Sequence, residues 1–233
     1  MPARRPRTPD EELIGAQHAA VEREITDAMR VARMAAELAM GFRELRGVHR
    51  GVSVFGSART APATPEYELG REVGRRLGEA GFAVITGGGP GLMEAANRGA
   101  REAGAHSIGL NIDLPFEHAH AKQWLDRSLD FHYFFTRKGM FVRYANAFVV
   151  LPGGYGTFDE LFEALCLIQT EKIRHFPIIL VGSAYWCGLV DWLRETAAGE
   201  GMISPGDLDL LHITDDLDVV VDTVLGAAVE QGV

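Results

Sequence analysis

From residue 51 onward, short apolar runs alternate with stretches whose apolar residues recur at helical spacing. The runs are "GVSVFGS" (51–57), "FAVITGG" (82–88), "HSIGLNI" (106–112), "DFHYFF" (130–135), "AFVVLPG" (147–153) and "PIILVG" (177–182). Between them, helices are predicted near 66–80, 91–103, 137–146, 157–172 and 186–199, and a last extended stretch leads to a helix beginning near Asp215. Strands with so few polar positions are buried on both faces, and strand–helix alternation of this kind builds a parallel sheet with helices on either side. The expected fold is therefore α/β, a Rossmann-like doubly wound parallel sheet. Ahead of it, residues 10–46 read as one long helix. Ile14, His18, Val21, Ile25, Ala28, Ala32, Ala35, Ala39 and Phe42 recur at spacings of four and three, a heptad-like seam. Such a seam predicts burial against the α/β body or against a second subunit, and its alanine-rich centre favours the second. The chain thus divides into an N-terminal helical extension (1–50) and a Rossmann-like α/β domain (51–233).

Composition narrows the classes. The formal charge of −9 disfavours a general nucleic-acid binder. Seven acidic residues and no Lys or Arg fall within 201–233, a pattern that reads as a solvated helix face. Two cysteines, Cys166 and Cys187, form no disulfide framework and fit a reducing compartment; Cys166 sits in an apolar helical pattern and is expected in the core. The basic N-terminus has no apolar segment of a secretory signal, and no apolar run approaches a membrane span, so a cytoplasmic protein is expected.

In a doubly wound sheet, ligands bind beyond the carboxyl ends of the strands. Three of those ends are glycine-rich: "FGSAR", "TGGGPGLME" and "LPGGYGTFDE". None is a dinucleotide fingerprint, since Leu92 and Asp159 stand where the third glycine belongs, and no P-loop pattern occurs. What remains is a compact phosphate cradle or a tight structural turn. In the cradle reading, Gly153, Gly154 and Gly156 expose backbone N–H groups, and Thr157 caps the following helix while offering its hydroxyl. Asp159 and Glu160 are expected in that helix's first turn, where acids commonly do no more than complement the helix dipole. Adjacent helical residues diverge by ~100°, so only one can face the cleft. Arg137 and Lys138 open a predicted helix, where cations oppose the dipole; that local cost suggests a partner anion. Ser57, the turn containing Gly88 and Gly89, and Glu94 are further candidates to meet a ligand. His118 and His120, beside Glu117, are too few for a metal site and are expected in a loop over the cleft.

Together these residues resemble the LONELY GUY (LOG) family of cytokinin-activating nucleoside 5′-monophosphate phosphoribohydrolases. The family pattern P-G-G-x-G-T-x-x-E stands here as Pro152 to Glu160, with an upstream Arg137-Lys138 pair and the similar "VFGSA" and "GGGPGLMEAA" stretches. The resemblance spans roughly residues 51–200, and the extension is similar to that of a longer bacterial branch. It implies a Rossmann-like fold and hydrolysis of the N-glycosidic bond of an adenosine-type 5′-monophosphate, N6-modified or not. It also implies Arg137 and Glu160 as the catalytic pair, no metal or other cofactor, and a homodimer or larger assembly. Ser57, Gly88, Gly89, Glu94, Lys138, Gly153, Gly154, Gly156 and Thr157 would bind the substrate. This chain has Phe134, Phe135 and Thr136 where plant-type members carry a Met-His, which alters the base side. A general purine nucleoside 5′-monophosphate nucleosidase, and a non-catalytic binder resembling molybdenum-cofactor carrier proteins, are the alternatives. Some relatives bear a lysine decarboxylase label. The three lysines here, Lys122, Lys138 and Lys172, come with no sign of the pocket that a Schiff-base lysine needs, so that activity is not expected.

Overall fold

All seven strands run parallel, in the order β4-β3-β2-β1-β5-β6-β7. The computed structural model describes residues 8–15, 26–113, 122–173 and 176–233. The strands are β1 (Gly51–Phe55), β2 (Ala83–Thr86), β3 (Ser107–Ile112), β4 (Arg127–Phe131), β5 (Ala147–Val150), β6 (Ile178–Leu180) and β7 (Leu211–Ile213). The chain builds outward from β1 to β4, then crosses back to place β5 on the other side of β1. The β1–β5 boundary is the topological switch point, where the loops after neighbouring strands part and leave a crevice.

Alternation along the strands sends side chains to two cores. Val52, Val54, Val84 and Val149 pack beneath α3 (Pro65–Glu79), α4 (Leu92–Glu102) and α8 (Leu217–Glu230). Phe55, Ile85, Phe148 and Val150 pack on the other face, beneath α5 (Phe134–Arg143), α6 (Tyr155–Gln169) and α7 (Ser183–Trp192). Helices α3 and α4 meet almost backbone to backbone. A Cβ on Gly74 would overlap the carbonyl of Ala96, and one on Gly99 would overlap the carbonyl of Arg71.

Several expectations shift. The aromatic run 130–135 is not one strand. β4 ends at Phe131, and Phe134 and Phe135 already belong to α5. Cys166 is exposed, because the buried stripe of α6 is Leu161, Ala164 and Ile168, and residue 166 projects from the opposite side. Trp186 is buried with its Nε1 donating to the carbonyl of Val181, whereas Trp192 is exposed. Arg143 does not reach the strand ends; it lies over the ring of Phe42. Among the described residues no helix is long and apolar enough to cross a membrane.

The extension is described in two pieces, α1 (Pro9–Gly15) and α2 (Asp27–Glu44), so the seam positions His18, Val21 and Ile25 lie outside the described residues. Thr26 caps α2 by accepting from the N–H of Met29. The face of α2 that meets its own chain is not the predicted seam. Arg30, Glu37 and Gly41 are buried, while Ala28, Ala32, Ala35, Ala39 and Phe42 are exposed. The next residue to enter the core, Leu45, anchors the far end.

The α3–α4 contact generates a prediction. Gly99→Ala gains ~1 kcal/mol of helix propensity, yet its methyl must push α3 away from α4. Overpacking of this kind costs about 1–3 kcal/mol, so the variant should unfold at lower denaturant than the parent. An unchanged or raised midpoint would show that the two helices separate freely.

Candidate active site

The loops after β1, β2 and β5 enclose a cleft of about 230 Å³ at the switch point. Ser57 laces them together through its backbone: its N–H donates to Pro152 O at 2.9 Å, and its carbonyl accepts from Leu92 N–H at 2.9 Å. From the β1 end, Gly56, Ser57 and Ala58 line the cleft, and from the β2 end, Gly87 and Gly89. Gly88 does not line it. Its φ is +68°, and a Cβ there would overlap Asn111 Oδ1, so this glycine shapes the turn. From the β5 end come Gly154, Gly156, Thr157 and Glu160.

Helix α6 begins earlier than its sequence suggested. Gly154 is the N-cap, without a side-chain cap, and Tyr155 is the first helical residue. Thr157 therefore sits inside the first turn and does not cap the helix; it lines the cleft and is buried. The N–H groups of Tyr155 and Gly156 have no acceptor within a helix that starts here, which leaves them available to an anion. Gly153 is not a lining residue, and a Cβ on it would overlap Thr157 Oγ1. At Gly154 and Gly156 an added Cβ would meet nothing within 4 Å. These two glycines are not required by the protein's own packing.

The early start also moves both acids into the second turn, beyond the reach of the simple dipole explanation. They diverge as helical geometry requires. Asp159 is exposed and pairs with Lys138 Nζ at 2.9 Å. Glu160 turns inward, lines the cleft and is 5 % exposed. Burial pushes its pKa up, and the cations Arg137 and Lys138 only partly oppose this, so that it stands at about 7. A carboxylate poised there exchanges its proton near neutrality, a common property of catalytic acids and bases.

Arg137 enters from α5. Its guanidinium lies 5.0 Å from the ring centre of Phe134 and 5.6 Å from that of Phe141, and both rings line the same cleft. Cation–π contact of this kind helps to hold the group in place. Lys138 points elsewhere. It bridges Asp159 and, at 2.6 Å, Glu163; burial works against its charge, but the two carboxylates outweigh it and raise its pKa. Glu94 also turns from the cleft and accepts from Tyr67 Oη at 2.9 Å. Its neighbour Met93 lines the cleft instead, as do Ile112 and Phe134. Met93 and Ile112 were not singled out from the sequence, and Phe134 was noted there only as a departure from the plant-type pattern. Met93 follows from the early turn of α4, but Phe134 was hidden by its reading as strand. His118 and His120 lie outside the described residues. Among the described residues, no cluster of three His, Cys, Asp or Glu could hold a metal.

A parallel sheet whose switch-point cleft joins three glycine-rich turns to a buried carboxylate defines an α/β protein with a ligand cleft at its strand ends. Comparison with known proteins narrows this. The family model described as "Possible lysine decarboxylase" matches residues 93–224. The chain is 30% identical over 160 residues to the cytokinin riboside 5′-monophosphate phosphoribohydrolase of Mycobacterium marinum, covering 68% of this chain and 85% of that protein. It is 33% identical over 138 residues to the Oryza sativa protein named "Probable cytokinin riboside 5′-monophosphate phosphoribohydrolase LOGL5", covering 58% of this chain but only 54% of the rice protein. The chain belongs to the LOG family. The molybdenum cofactor carrier protein of Chlamydomonas reinhardtii has the same fold, with a TM-score of 0.57 at 22% identity over 77% of this chain and 98% of that one. The decarboxylase wording finds no support in the cleft: Lys138 is tied up by two carboxylates, and Lys172 is exposed.

The glycines divide into two experimental classes. Gly154 has a negative φ and open space, so Gly154→Ala should fold, its entropic gain of about 0.4–1 kcal/mol offset by alanine's weakness as an N-cap. Its methyl would occupy the approach of a bound phosphate, so affinity for a 5′-nucleotide should fall. Gly88→Ala should instead lose stability. Calorimetric titration with AMP and thermal unfolding separate the two, and full AMP affinity in Gly154→Ala would remove that glycine from the cradle.

Proposed function

We propose that this protein hydrolyses the N-glycosidic bond of adenosine-type nucleoside 5′-monophosphates, N6-modified or not, to free base and ribose 5-phosphate. The observation that carries the reading is Glu160: a carboxylate buried at the cleft wall, about one helical turn along α6 from the backbone N–H groups at its start, with Arg137 opposing its neutralisation. In this reading the phosphate rests at the start of α6, against Gly154, Gly156 and Thr157. The sugar then extends along the helix toward Glu160. As the C1′–N bond breaks, its electron pair leaves with the base, and positive charge develops on the ribose. The Glu160 carboxylate stabilises that charge and takes a proton from the attacking water; the base gains a proton as it departs. Arg137 keeps Glu160 ionised and oriented. Phe134, Met93 and Ile112 offer an apolar wall for the base.

The relatives' names support this reading, and so does the presence of both Arg137 and Glu160, which a pure carrier would not need. The partner is then a small nucleotide; a net charge of −9 argues against nucleic acid. The exposed free thiols Cys166 and Cys187 suit a reducing, cytoplasmic setting. We further propose a homo-oligomer built on the exposed alanine face of α2. Deleting residues 1–46 and weighing the protein by light scattering tests this. Fewer subunits per particle are expected, and an unchanged subunit number in a folded truncation would exclude the helix as the assembly element.

Incubation with AMP and with N6-isopentenyl-AMP, followed by chromatography, should release free base. Release from neither would overturn the hydrolase reading and favour a binder. Glu160→Gln should bind AMP and turn it over ~10²-fold more slowly or worse. Glu160 is neutral below its raised pKa and charged above it, so kcat/KM of the parent should fall as the pH drops through about 7. That limb should be missing from the residual activity of Glu160→Gln. A parent profile flat from pH 6 to 8 would mean that Glu160 does not titrate in the reaction.

A further inference from the structure

The inner face of α2 is polar where an amphipathic helix would be apolar, and its central residue is a carboxylate. Glu37 is 6 % exposed. Thr136 Oγ1 donates to its Oε2 at 2.6 Å, His132 N–H donates to its Oε1 at 3.1 Å, and His132 Nδ1 lies 2.9 Å from the same oxygen. These partners fall on the turn from β4 into α5 and on that helix's first turn. The next residue after Thr136 is Arg137.

Helix α5 needs such help. Its N-cap, Tyr133, gives no side-chain cap to the helix, and its first turn contains no acid. The cation Arg137 closes that first turn, where the helix dipole disfavours positive charge. Glu37 brings the missing negative charge from another element. Asp10 of α1 adds to it, with its carboxylate at the backbone N–H of Phe134 and within electrostatic reach of Arg137. Both acids come from the extension, and both act on the end of α5 that carries the cleft arginine.

We propose that Glu37 is a positioning residue for the reaction: it fixes the start of α5 and, through it, the place where Arg137 faces Glu160. The N-terminal extension thereby completes the catalytic site instead of merely flanking it. The inference rests on the reading of Arg137 and Glu160 as the working pair.

The full-length protein tests it. Glu37→Gln removes the charge and keeps the volume; Thr136→Val removes the hydroxyl that meets it. Each should lower kcat by about tenfold or more with KM little changed, since displacements near 1 Å at a catalytic group cost this much or more. In an Arg137→Ala background, Glu37→Gln should add no further loss, because its effect runs through that arginine. A merely structural role would give additive losses, and additivity would overturn the proposal. So would parental kcat in folded Glu37→Gln and Thr136→Val. If Glu37→Gln fails to fold, Thr136→Val carries the same comparison. Crystal structures of parent and variant read the geometry without reference to activity. Arg137 should be displaced by about 1 Å or more, and an unmoved Arg137 would overturn the proposal. A parent that releases no base from any nucleotide would remove the hydrolase reading, while the crystal comparison would still decide the effect of Glu37 on Arg137.

Discussion

Keeping Glu160 out of water is the constraint around which the cleft is arranged. A buried carboxylate favours its neutral form, and only nearby positive charge restores the ionised one. Here that charge comes from Arg137 and Lys138 on α5, the helix that crosses back from β4 to β5. Glu160 itself rides on α6, which follows β5. The two groups can face each other only because the sheet reverses its direction of growth beside β1. Sheet order, crossover and site electrostatics are therefore one arrangement. Moving the reversal to another strand pair would leave the acid without its cations.

Lys138 gives that arrangement rigidity. It ties α5 to α6 through Asp159 and Glu163, two exposed or half-exposed acids on the flank of Glu160. Exposed pairs of this sort contribute little alone, about 0–1 kcal/mol. Their value lies in fixing the separation of two helices that carry opposing groups. The cleft thus has one arginine held by aromatic rings, and outside it stands one lysine held by carboxylates, each with a different use for its charge.

Much of this was legible in the sequence, for identifiable reasons. The strands could be found because residues such as Val52, Val54, Phe148 and Val150 must be apolar on both faces of a covered sheet. The glycine-rich ends could be ranked because three of them had to converge. Two things were not legible. Helix starts depend on backbone angles that glycine leaves open: nothing in "PGGYG" says that the helix begins at Tyr155, and this moved Asp159 and Glu160 by a turn. The face that α2 turns to its own chain was missed because periodicity weighs apolar residues only. Arg30 and Glu37 face inward, Arg30 pairing with Asp27 and Glu37 meeting His132 and Thr136, and neither distant donor is a sequence neighbour of Glu37.

The placement of Glu160 on the same helix that starts at Gly154 has a metric consequence. Six residues at 1.5 Å per residue set the acid about 9 Å along the axis from the helix's beginning. That interval is rigid, since it is made of consecutive hydrogen-bonded turns, and it acts as a ruler between the cradle and the acid. A single phosphate joined to a pentose spans a fixed length of its own. An added second phosphate would slide the sugar out of register with Glu160, and a deleted residue within the helix would swing the acid by ~100° away from the cleft. Selection for a monophosphate would then be made by length, before any contact with the base.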